Sequence, residues 1–148
     1  MSKERLIRSL NEDLAAEWGT IARCMVQANE VRYIAGDELR HTFLQEVEDR
    51  LEHITYLTDV IIDLGGKPTT LAESFETKDN VPAMLEQDLS LELEQVERYR
   101  QHARLAAELG QTELEMRLEA IAGNEAKHAD ALRRLLKEQM PSRLHQEC

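Results

Sequence analysis

Apolar residues recur at three- and four-residue steps through four long stretches of the chain, the period of an α-helix buried along one face. In the first stretch, about 3–31, the stripe is Leu6, Ile7, Leu10, Leu14, Ile21, Met25 and Ala28. In the second, about 38–64, it is Phe43, Val47, Leu51, Ile54, Leu57 and Ile61. The third, about 81–109, carries Leu85, Leu89, Val96, Tyr99 and Ala103, and the fourth runs over about 113–138. The punctuation agrees with these limits. Gly36-Asp37 closes the first connection, with Asp37 as a candidate N-cap, and Gly65-Gly66 followed by Pro68 stops the second helix. Asp79 or Asn80 caps the third, Gly110 ends it, and Thr112-x-x-Glu115 reads as a capping box for the fourth. Pro141 ends that helix, and 142–148 is too short to pack another. Residues 65–80 hold no period and are long for a turn between antiparallel neighbours, so they read as a crossover running along a bundle.

Several polar residues interrupt the apolar faces. Glu17 lies on the first stripe between Leu14 and Ile21, where a carboxylate is costly unless it is paired or bound to a cation. Glu46, Arg50 and His53 follow one line beside the second stripe. In the fourth stretch Glu125 and His128 are three apart, about 60° apart on one helix face, so both can reach one ion. The chain also matches itself when shifted by 75 residues. Asp13, Leu14 and Glu17 fall on Asp88, Leu89 and Glu92, and His53 falls on His128. Two copies of a helical hairpin follow, packed as a four-helix bundle. Each copy offers one inward carboxylate and one histidine. The symmetry breaks at one position: Arg50 stands where the second copy has Glu125.

Composition narrows the class. A chain of 148 residues with 4% aromatic and 32% charged residues reads as one all-α domain over 1–148. The net charge of −11 argues against a nucleic-acid or anionic-membrane partner. Cys24 and Cys148 make no disulfide framework and no metal-type spacing, and Met1 to Asn11 carries no apolar run. The expected location is therefore a reducing cytoplasm, with no membrane span.

These residues resemble the ferritin-like superfamily, bacterioferritins above all, over about Leu6 to Leu136. The resemblance implies an antiparallel ferritin-like bundle with a long crossover between its second and third helices. It also implies a metal set of Glu17, His53, Glu92, Glu125 and His128, with Glu125 as a bridging carboxylate. Such sites bind two ferrous ions, oxidise them with oxygen and serve iron storage and homeostasis. Homodimers and larger cages are implied as well, although no counterpart of the family's short fifth helix follows Pro141. The departures carry information. Arg50-Leu51-Glu52-His53 replaces a second Glu-x-x-His, so a guanidinium that cannot be deprotonated stands where a bridging carboxylate is expected. Arg50 is placed to fork onto Glu17 or Glu125, or to pair with Glu46 one turn earlier. Leu51 replaces the methionine that would hold haem iron, so no haem is expected by that route. Cys24 takes the place of a redox tyrosine, whose equivalent in the second half is Tyr99. His41, His102 and His145 read as solvent-facing. Three functions follow: an iron-binding protein whose two-ion site is impaired by Arg50, with one or two ions bound; a metal-free structural or interaction module held by buried ion pairs; or a mononuclear site on Glu92, Glu125 and His128.

Overall fold

The computed structural model describes residues 2–33 and 36–139. Helix α1 spans Ser2–Glu30 and passes through a short 3₁₀ turn, Val31–Tyr33, toward α2, Gly36–Asp63. Helix α3 spans Val81–Glu108 and α4 spans Thr112–Gln139. There is no strand among the described residues. Asp37 lies inside the first turn of α2, so it serves as a first-turn anion and not as the cap. At α3 the cap is Asn80, whose Oδ1 accepts from the Ala83 backbone N–H at 2.9 Å, with Pro82 in the first turn. Both α2 and α3 end in the same device. Gly65 and Gly110 take positive φ, 86° and 72°, and each is followed by a backbone bond back to the last full turn, Gly66 N to Ile61 O and Gln111 N to Ala106 O. The expected tail, Ser142 to Cys148, lies outside the described residues, as does His145.

Side-chain contacts set the helix directions. Along the α1–α3 seam the pairs are 13 with 102, 20 with 95 and 27 with 88, so the numbering rises on one helix as it falls on the other. The two helices are antiparallel. Between the hairpins, Arg50 of α2 meets Glu125 of α4.

The connection 64–80 supplies the crossover. It runs beside α1, where Asn11 bridges Lys67 O and Thr69 N and the Trp18 indole donates to Thr69 O at 3.0 Å. Glu73 N then reaches Ala15 O at 2.9 Å, over Gly19. A Cβ at Gly19 would lie 2.4 Å from Glu73 O, so only glycine admits this approach. Trp18 therefore packs beneath the crossover.

Apolar packing falls into two clusters. One gathers Leu6, Leu10, Leu14, Leu57, Ile61 and Leu118, and the other Phe43, Met84, Leu85 and Leu132 with Cys24. Outside both clusters, four glutamates and Arg50 are buried together with His53, and they form the site.

Candidate metal centre

Each helix sends one glutamate inward. Glu17 comes from α1, Glu46 from α2, Glu92 from α3 and Glu125 from α4, all at 2% exposure or less. Arg50, fully buried, reaches all four. Its Nη1 donates to Glu17 Oε1 at 2.7 Å, to Gln95 Oε1 at 2.6 Å and to Glu125 Oε1. Its Nη2 donates to Glu46 Oε1 at 3.0 Å and to Glu92 Oε1. Gln95 is held in turn by donating to Thr20 Oγ1 at 3.1 Å. The guanidinium thus sits at the meeting point of the four helices, its fixed fork spread across carboxylates from all of them.

Four carboxylates around one cation cannot all be ionised in a dry interior. Burial drives the Glu125 and Glu92 carboxyls well above the ordinary range against the pull of Arg50, and the neighbouring carboxylates push the same way. Burial opposes ionisation of Glu17 and Glu46 as well. There the Arg50 charge, with hydrogen bonds from His53 and Glu125 to Glu17 and from Glu92 to Glu46, holds both down at about 2. The four carboxyls thus divide into two held low, Glu17 and Glu46, and two raised, Glu125 and Glu92. Tyr99 donates its hydroxyl to Glu17 Oε1 at 3.0 Å, and burial pushes that phenol well up.

The two histidines part company. His53 Nδ1 lies 3.1 Å from Glu17 Oε2 and 3.6 Å from Glu125 Oε1. Glu17, His53 and Glu125 bring one ligand atom each within 4.8 Å of one another, close enough for a single ion. Glu125 Oε2 is buried without a hydrogen-bond partner in the structure, which leaves it available as a donor. His128 Nε2 lies 2.7 Å from Asp49 Oδ2, and His128 is not in that three-residue group. The structure thus brings Glu17, Glu92, Glu125, His53, Arg50, Glu46 and Tyr99 to one place, and turns the His128 ring nitrogen to Asp49. Cys24 is a free, buried thiol whose pKa burial raises, with the Glu46 and Asp88 charges adding to the rise. Leu51 is half-exposed and offers no ligand atom.

Two further polar pairs flank the cluster. Asp13 meets His102, Nδ1 to Oδ2 at 2.7 Å, and Asp88 meets Gln27 and Arg23, each at 2.9 Å. His102 is therefore mostly buried in the helix seam, 8% exposed, and not the freely solvent-facing residue expected, with only its Nε2 edge toward the exposed Glu12. Its partner lies 89 residues away in the chain, beyond any local pattern. The self-match carries the missing signal for the others: Thr20 falls on Gln95 and Gln27 falls on His102.

A carboxylate from each of four antiparallel helices, joined across the middle by a long crossover, defines a carboxylate-centred four-helix bundle. Residues 7–140 match the ferritin-like domain family, and the chain belongs to it. Among solved structures it is similar to a ferritin-like, diiron-carboxylate protein of Bacillus anthracis, 36% identical with a TM-score of 0.89. That alignment covers 92% of this chain and 98% of the other. It is also similar to the bacterioferritin of Desulfovibrio desulfuricans, 26% identical with a TM-score of 0.86, over 92% and 80% of the two chains. The bacterioferritin BfrA of Mycobacterium tuberculosis is 25% identical with a TM-score of 0.84, over 90% and 84%. No curated protein sequence matches the chain.

Proposed function

We propose that this chain is a ferritin-like iron-binding protein whose centre takes one ion where a diiron-carboxylate protein takes two, because the Arg50 guanidinium is the fixed cation of the other half. Arg50 carries the reading. Its Nη2 engages Glu92 and its Nη1 engages Glu125, the carboxylates a second ion would need, with Glu46 also on Nη2, and His128 Nε2 lies against Asp49. A second dication beside a buried guanidinium is further disfavoured by repulsion between like charges. Glu17, His53 and Glu125 remain grouped, and carboxylate with imidazole suits ferrous iron. Compared with a site on Glu92, Glu125 and His128, the geometry favours this opposite half. Pairwise ferrous oxidation needs two adjacent ions, so rapid oxygen-dependent turnover is not part of this function.

An anaerobic ferrous titration with metal analysis tests it. The expected result is one ion per chain, lost in His53→Ala and raised to two in Arg50→Glu, which also gains oxygen-dependent ferrous oxidation. Two ions in the wild type with fast oxidation would overturn the reading. Zero ions would favour a metal-free bundle, a reading supported by Arg50 Nη1, which donates to Glu17 and Glu125 themselves.

The exposed apolar side chains of α1 and α2 support self-association. Met25, Val26, Leu51 and Ile62 are 43%, 42%, 50% and 61% exposed. A homodimer through these helices is the expected form, and a monodisperse monomer in sedimentation at micromolar concentration would refute it. The free Cys24 thiol fits a reducing cytoplasm.

A further inference from the structure

The α1–α3 seam carries two pairs related by the 75-residue self-match, and they differ in a telling way. On one side the buried Asp88 is held by the Gln27 amide and by Arg23. On the other, Asp13 is held by the His102 imidazole, while Arg98, the counterpart of Arg23, reaches Glu73 of the crossover at 3.8 Å. The first pair shows an amide, aided by a guanidinium, holding an aspartate at this place in the bundle. An imidazole in the mate position adds something the amide lacks, a second ring nitrogen beyond the carboxylate. That Nε2 lies 3.9 Å from Glu12 Oε2, whose side chain is 65% exposed, so the arrangement opens to solvent.

A carboxylate on Nδ1 fixes the tautomer of a neutral histidine, leaves the Nε2 lone pair free and raises its basicity. Metal-ligating histidines are held in this way. We propose that His102 Nε2 and Glu12 form a surface site for one divalent first-row transition ion, with Asp13 as the positioning group and water completing the shell. Imidazole with carboxylate suits zinc or ferrous iron. Two such ligand atoms around one tetrahedral ion sit about 3.3 Å apart. The observed 3.9 Å closes by a small turn of the exposed Glu12 side chain. Asp13 is 1% exposed and its Oδ1 has no hydrogen-bond partner in the structure, so the carboxylate is free to serve the imidazole alone. Arg98 contributes a positive charge near Asp13.

The test is a Zn2+ titration of the full chain, followed by the imidazole nitrogen resonances of each histidine. The expected result is a zinc-dependent shift of His102 Nε2, weakened about 10–100-fold in Asp13→Asn and at least about tenfold in Glu12→Gln. His102→Gln supplies the amide that meets the aspartate at the mate position and loses the response, with its fold checked by its helical circular dichroism. A silent His102 up to millimolar Zn2+ overturns the proposal, as does a shift unchanged in both Glu12→Gln and Asp13→Asn. The central site reads out separately through His53, so failure there leaves this result untouched.

Discussion

Among the described residues Arg50 is the largest fully buried side chain, and it is the only cation that touches all four central glutamates. Removing one partner of a buried ion pair costs about 3–5 kcal/mol, because the other charge stays behind without compensation. Arg50→Met leaves four glutamates facing one another, so its stability to urea at pH 7 should fall by at least about 3 kcal/mol. The loss should shrink at pH 5, where the stranded carboxyls take up protons more readily. A variant as stable as the wild type at pH 7 would show that the cluster is not held by the guanidinium. Much of this was legible in the residues themselves. Glu17 on an apolar stripe and Arg50 opposite Glu125 in the self-match both announced a buried ionic centre. The entry of Glu46 as a fourth carboxylate was visible only as an i,i+4 neighbour. The turn of His128 toward Asp49 was not visible, because it depends on how far α2 and α4 slide along each other, which no spacing within one helix records.

At the scale of elements, the apolar period and the glycine stops set the four helices to within a residue or two. The long crossover was readable from its length and lack of period. What the sequence could not show was how closely that crossover rides on α1. The contact is backbone against backbone, through Glu73 and the bare Cα of Gly19, and no side-chain pattern marks it. Gly19→Ala should therefore push the crossover outward and lower stability by about 1–3 kcal/mol, the usual cost of overpacking. Faster backbone amide exchange at Glu73 would locate the damage. An unchanged exchange rate there would refute the account.

For the whole molecule, the balance of buried acids sets an unusual response to pH. Burial lifts Asp13 and Asp88 to about 6 in the folded chain, from an ordinary 3.8, against the pull of His102 and of Arg23 respectively. A raised carboxyl binds its proton more tightly when folded. The stability it contributes is complete below 3.8 and is lost as pH rises through about 6. Glu92 and Glu125, also raised, act in the same direction. Glu17 and Glu46, lowered to about 2 from 4.5, act oppositely, and their contribution is lost as pH falls from 4.5 toward 2. Urea midpoints should accordingly be highest in mildly acidic solution and lower at pH 7. The double variant Asp13→Asn, Asp88→Asn should flatten the decline between pH 4 and 6. A midpoint that rises steadily to pH 7 in the wild type would contradict this balance.

The mismatch of Arg50 with Glu125 has one more consequence, for how the halves choose each other. In a bundle made of two related hairpins, each could in principle pair with a second copy of itself. A pair of first hairpins would set guanidinium against guanidinium at the centre, and a pair of second hairpins would set carboxylate against carboxylate. Only the mixed pair brings Arg50 to Glu125. Arg50 thus also works as a lock and key between the two hairpins. Cut within the crossover, the separated halves should reassemble with each other and refuse their own kind.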